Sequence, residues 1–153
     1  MKVLVCGGRD YENWRHVEGM LDLINGMYGP ITLVITGACC DEEGTPRGAD
    51  WWAERWARKR AVRYVGYPAN FQKYGKPAGP MRNGFMFGEQ VPSIVIAFPG
   101  GRGTAGMIRI AEDNGLERRG KDMHNGTVVL YDPSVPEPKP MDWPPKAAKT
   151  SGE

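Results

Sequence analysis

Unbroken apolar runs that alternate with helical stripes leave a chain few ways to fold, and that alternation dominates this sequence. Runs rich in Val, Ile and Leu recur at Lys2–Cys6, Ile31–Thr36, Val62–Tyr67, Ser93–Phe98 and Thr127–Tyr131. Several lack polar alternation, the pattern of strands covered on both faces of a parallel sheet. Between them, Trp14, Val17, Leu21 and Ile24 are spaced by three and four, which predicts a helix from about Asn13 to Gly26 with one apolar stripe. Trp52 and Trp56 with Ala53 and Ala57 predict a second, from about Ala49 to Ala61. A third spans Pro80 to Gln90, with Pro in its first turn and Met81, Phe85 and Met86 on one side. The last begins near Thr104, carries Met107, Ile108 and Ala111, and stops at Asn114-Gly115. This order calls for right-handed crossovers. The expected class is α/β, a doubly wound, mainly parallel sheet of five strands flanked by helices, with its ligand site beyond the carboxyl ends of the strands.

A length of 153 residues accommodates one ordinary domain. Residues 1–132 hold all the periodic segments and are expected to form it. From Pro133 onward Pro133, Pro136, Pro138, Pro140, Pro144 and Pro145 predict an extended or disordered tail over 133–153, pinned by Met141 and Trp143. With 41% hydrophobic and 25% charged residues, the composition excludes wholesale disorder. A formal charge of +2 gives no reason to expect nucleic acid as the default partner. Cys6, Cys39 and Cys40 are odd in number, two of them adjacent, so no disulfide framework is read and a reducing, cytoplasmic setting is expected. No apolar run approaches the roughly 20 residues of a membrane span, so no membrane partner is expected.

The strongest chemical signal is Phe98-Pro99-Gly100-Gly101-Arg102-Gly103-Thr104-Ala105, which leaves a buried strand and opens a helix. Glycines let backbone approach an anion, and the free N–H groups of the following helix favour negative charge. Thr104 is placed to cap that helix. Cys6-Gly7-Gly8-Arg9-Asp10 follows the first strand and Thr36-Gly37 the second, at the same sheet edge. Glycines after neighbouring parallel strands suggest one backbone-lined crevice suited to a nucleotide. The spacing around Gly7-Gly8 departs from the dinucleotide fingerprint and disfavours NAD. Arg47-Gly48-Ala49-Asp50 opens the second helix, where Asp50 either offsets the helix dipole or accepts ribose hydroxyls and assists proton transfer. A long connection runs through Pro68-Ala69-Asn70-Phe71, Tyr74-Gly75 and Ala78-Gly79-Pro80-Met81-Arg82-Asn83, and such loops are often functional. Arg82 has fork geometry for phosphate.

These motifs together resemble the YspA-type branch of the SLOG superfamily, relatives of the Lonely guy cytokinin-activating proteins and of the DNA-processing protein DprA. The resemblance covers about Met1 to Leu116. It implies a Rossmann-like fold, often dimeric, that binds nucleotides or nucleotide-derived ligands at the Pro99–Thr104 loop. In the Lonely guy enzymes a similar loop is followed by a glutamate that works with an arginine to cleave the N-glycosidic bond of a nucleoside monophosphate. Here Arg82 corresponds to the arginine, and Met107 stands at the glutamate position. A thioether cannot exchange a proton, which argues against the same mechanism. The stretch Ala38–Pro46 is longer than the family's usual connection and is placed to reshape the crevice.

Cys39-Cys40 with His16 and His124 matches no standard zinc spacing, so no metal is expected. Trp52 and Trp56 read as core, and Arg55, Arg58, Lys59, Arg60 and Arg63 as a solvated face. The leading expectation is a binding domain for a nucleotide or nucleotide derivative, needing no further cofactor and acting as sensor, sequestering or accessory protein. Its phosphate sits on amides of Gly100, Gly101, Gly103 and Thr104, with Pro99 and Arg102 in the same loop. Arg82 and Asn83 supply the facing helix; Gly7, Gly8 and Gly37 permit close approach; Arg9, Asp10 and Asp50 contact sugar or base, beside Arg47 and Gly48. The alternative is an N-glycosidase or phosphoribohydrolase in which Arg82 and Asp50 are catalytic, with Asp10 or Glu54 as other candidate acids. Least favoured is a DprA-like single-strand DNA binder, which the near-balanced charge opposes.

Overall fold

The structure, a computed structural model, describes residues 1–138. In chain order the elements are β1 (Lys2–Cys6), α1 (Trp14–Tyr28), β2 (Leu33–Thr36), α2 (Gly48–Lys59), β3 (Arg63–Gly66), α3 (Phe71–Tyr74), α4 (Ala78–Gln90), β4 (Ile94–Ala97), α5 (Arg102–Asp113), β5 (Glu117–Arg118) and β6 (Val128–Tyr131). One sheet of six strands runs in the order β3-β2-β1-β4-β6-β5. The chain winds outward from β1 through β2 to β3, then crosses back to place β4 on the other flank of β1. The ends of β1 and β4 therefore bound the point where the winding reverses, the usual ligand position in such sheets.

Each sheet face buries a separate core. Val3, Val5, Val34, Ile94, Ile96 and Tyr131 pack with Val17, Leu21 and Ile24 of α1 and Ala53, Trp56 and Ala57 of α2. Leu4, Ile35, Val95 and Leu130 point the other way, onto Met86 and Phe87 of α4 and Met107 and Ala111 of α5. Alternate residues of one strand thus serve opposite layers, which is why β4 is buried at every position.

The expectation of five strands, mainly parallel, is corrected at one edge. β1 to β4 are parallel, but β6 runs antiparallel to β4, and the added strand β5 runs antiparallel to β6. After α5 the chain climbs the sheet edge as β5 before descending as β6, so it enters β6 from the opposite end. Two exposed charged residues, Glu117 and Arg118, make up β5 and carry no apolar signal.

The connection between β3 and α4 holds the short α3, whose first turn is capped by the Asn70 side chain accepting the Lys73 N–H. Met81 and Phe85 do not share a packed side with Met86. They are 50% and 65% exposed, while the buried stripe of α4 is Ala78, Asn83, Met86 and Phe87. Thr104 is not the cap of α5: Gly101 occupies that position and Thr104 lies inside the first turn. At the far end of the domain Val135 is buried in the α1–α2 core, so the proline-rich segment begins docked on it. Met141, Trp143 and the rest of the tail beyond Pro138 lie outside the described residues. Among those residues no helix is long and apolar enough to cross a membrane.

Candidate functional site

Three loops leave the carboxyl ends of β1, β2 and β4 and meet the first turn of α5 and the start of α4. Between them is a cleft of about 880 Å3. Its lining takes in Gly7, Gly8, Arg9, Asp10, Gly37, Asp50, Arg82, Asn83 and the whole run Pro99–Thr104. Of the ligand-binding residues singled out from sequence, Gly48 and Arg47 stand outside it. Gly48 has a φ of +76°, and a Cβ there would lie 2.5 Å from the Gly8 carbonyl oxygen, so it lets α2 approach the Gly8–Arg9 backbone. Arg47 donates from Nε to the Arg9 carbonyl and ion-pairs with Asp10, which braces the cleft rim. The Ala38–Pro46 stretch folds on itself, with Asp41 accepting from the amides of Glu43 and Thr45, and borders a smaller hollow beside Arg9.

The glycines divide into two kinds. A Cβ on Gly7 would lie 2.6 Å from Cβ of Ala49, and one on Gly100 would lie 2.7 Å from the Gly8 amide nitrogen. Gly7 is thus required by the approach of α2 and Gly100 by loop-on-loop packing, which a Gly8 N–H to Pro99 carbonyl bond of 2.9 Å fastens. Gly101 and Gly103 are different. Nothing lies within 4 Å of a Cβ at either, and neither needs a positive φ. They leave open space at the first turn of α5, which lines the cleft and where no side chain caps the helix, so that its leading N–H groups lack intrahelical partners.

Arg82 holds the opposite wall. Its Nη1 donates to the carbonyls of Gly37 at 2.6 Å and Tyr67 at 3.0 Å, and its Nε to Asn83 Oδ1 at 2.8 Å. Asn83 in turn donates to the Gly103 carbonyl at 3.1 Å, so α4, the β2 and β3 exits and the α5 turn are linked through two adjacent side chains. Asn83 is a positioning group here, while Arg82 presents its guanidinium to the cleft.

Asp50, buried in the first turn of α2, accepts the Cys39 N–H at 3.1 Å. Burial pushes its carboxyl up to about 6, against the pull of that amide and of Arg82, while Glu54 one turn on adds to the rise. Burial likewise raises the Cys6 thiol, with Asp50 adding to the effect. Glu54 itself accepts from Thr36 Oγ1 at 2.8 Å beneath the site and does not line the cleft. Met107 is fully buried against Leu4, Ile35 and Met86, so its position belongs to the core. His16, weighed as a metal ligand, shares a hydrogen bond with Thr127 at 2.9 Å, and no metal-binding cluster occurs among the described residues.

Residues 1–74 match the family model described as YspA, cpYpsA-related SLOG family. The match supports a YspA-type SLOG superfamily assignment, carried by the first 74 residues. No curated protein matches the chain. The match runs from β1 through α3, so the Gly7–Asp10, Gly37 and Asp50 segments lie within it, while the Pro99–Thr104 loop joins them by geometry alone. The cleft also includes residues that sequence reading did not assign, notably Tyr11, Cys39, Phe71 and Lys76. The signal for the last two was the long β3–α4 connection; their own side chains carried none.

Proposed function

We propose that the cleft binds a nucleotide or nucleotide-derived ligand, with its phosphate on the amides at the start of α5 and its sugar toward Asp50 and Asp10. The observation that supports this most directly is the empty space above Gly101 and Gly103, which no packing demand explains and which an anion at a helix N-terminus would fill. Arg9, Lys76, Arg82 and Arg102 give the lining a cationic balance against Asp10 and Asp50. In this reading the protein acts as a sensor, sequestering or accessory protein.

Thermal shift with mono-, di- and cyclic nucleotides and ADP-ribose-like compounds tests the reading. A ligand at a hundred times its Kd adds about 2.7 kcal/mol, roughly 5–10 °C for a domain of this size. A flat response across the whole panel would refute it.

The second reading is N-glycosidic cleavage of nucleoside monophosphates. It is supported by Asp50, a cleft carboxyl that burial pushes up to about 6 against the pull of Arg82. Release of free base that is lost in Asp50→Asn would establish it; no release at high enzyme concentration would exclude it for the substrates used.

A further inference from the structure

The near-balanced charge of the whole chain conceals a local excess. α1 and α2 lie side by side on one sheet face, and outward they carry Arg15, Arg55, Arg58, Lys59 and the capping Arg60 against Glu18 and Asp22. The other acids of α2, Asp50 and Glu54, are buried inward. Five cations to two carboxylates exceed the net +2 of the entire chain. Glu18 is shared between Lys59 at 2.9 Å and Arg55 at 3.8 Å, and Asp22 takes Arg60 at 2.7 Å. Arg15 and Arg58 have no carboxylate partner among the described residues.

Aromatic rings alternate with these charges. Arg15, Arg55 and Lys59 lie 4.6, 4.9 and 5.7 Å from the Trp14 ring centroid. Arg58 sits 5.3 Å from the rings of both Trp51 and Tyr64, the latter on the edge strand β3. Core packing accounts for Trp56, whose indole N–H bonds Asp22, and Trp52 donates to the Tyr11 carbonyl. It does not account for Trp14 and Trp51, which remain partly exposed.

We propose that this α1–α2 face binds single-stranded nucleic acid, with phosphates on Arg15, Arg58 and their neighbours and unpaired bases on Trp14, Trp51 and Tyr64. Polyanion attraction supplies the cations' role, and π-faces between them suit bases that are free to unstack, which a duplex does not offer. A lipid surface fits less well, because Tyr64 is the one large hydrophobic side chain on this face that is more than a third exposed. None of these cations and rings lines the cleft, so this surface is separate from the proposed nucleotide site.

The test is a titration of the full chain with a labelled 20-nucleotide oligothymidylate, its duplex with oligoadenylate, and phosphatidylserine vesicles, following tryptophan fluorescence and anisotropy at several salt concentrations. The single strand is expected to bind most tightly and to quench the tryptophans. Arg15→Glu with Arg58→Glu should weaken binding at least tenfold at low salt and leave any nucleotide-induced thermal shift unchanged. Replacing the same two by alanine should flatten the slope of log Kd against log salt by about 1.4, roughly 0.7 per lost phosphate contact. The proposal is overturned if the oligonucleotide fails to bind at low salt, if the double variants bind as wild type, if the vesicles or the duplex bind better, or if a saturating mononucleotide displaces the strand, which would put it in the cleft.

Discussion

A glycine is informative only when its reason is known, and the cleft separates the reasons residue by residue. Gly100 is pressed against the Gly7–Gly8 backbone and Gly7 against the Cβ atoms of Ala49 and Phe98, so alanine at either is expected to destabilise the fold by about 1–3 kcal/mol, the usual cost of forced overpacking. Gly101→Ala and Gly103→Ala meet nothing. Chemical denaturation should find both as stable as wild type, with Gly103→Ala up to about 1 kcal/mol more stable because it lies in a helix, while ligand-induced stabilisation falls. Equal loss of stability at all four positions would make the loop a packing device alone. The second residue-scale prediction concerns Asp50. Its folded carboxyl holds a proton up to about 6, against 3.8 in an unfolded chain. The folded state therefore binds more protons in between: the stabilisation is complete below the unfolded value and is lost as pH rises through about 6. The gap amounts to about 3 kcal/mol at neutral pH. Asp50→Asn should raise Tm at pH 7.5 and change it little at pH 4. Because the ionised carboxylate repels an anion, wild-type affinity for a cyclic nucleotide, whose phosphate does not titrate in this range, should rise as pH falls through 6, and the variant should show no such step.

At the level of elements, periodic segments were legible and short or self-capped ones were not. β1, the four long helices and the buried β4 follow from apolar spacing, because burial on both faces or along one stripe leaves a pattern that survives in one dimension. β5 left none, being two charged residues held by a neighbour. α3 is a single turn stabilised by the Asn70 side chain and reads as loop until that bond is seen. The candidate site shows the same divide. Its glycine loops were readable, but the clamp from Arg82 to Gly37 and Tyr67 joins residues 45 and 15 positions apart, which no local pattern records. That clamp makes a prediction of its own. Arg82→Ala strips two carbonyls and Asn83 of their donor, so a stability loss of roughly 1–3 kcal/mol is expected from unsatisfied groups in a partly buried place. Hydrogen exchange should then localise the loosening to the β2 and β3 exits and the start of α4. An unaltered exchange pattern would mean that Arg82 serves a ligand without organising the walls.

Across the whole molecule the sheet has two unlike ends. At the carboxyl ends of β1, β2 and β4 the backbone leaves an open cleft. Toward the opposite edge the polar groups are closed on one another: the buried Asp122 accepts from the hydroxyls of Tyr28 and Tyr131, whose rings pack 4.9 Å apart, and Arg119 lies 4.5 Å from the Tyr131 ring while donating to the Val135 carbonyl. This network ties α1, β6 and the start of the proline-rich segment together, and burial with the Asp122 bond raises the Tyr131 phenol far above its ordinary range. Asp122→Ala would leave two hydroxyls without their acceptor at a site 2% exposed, and a loss on the order of 2–4 kcal/mol is expected. The ligand-dependent increment, measured as the change in unfolding free energy with saturating nucleotide, should nonetheless equal that of wild type, because sites with no shared partner add independently. An increment that shrinks in Asp122→Ala would show that the closed end sets the geometry of the open one, and the division of labour along the strands would have to be abandoned.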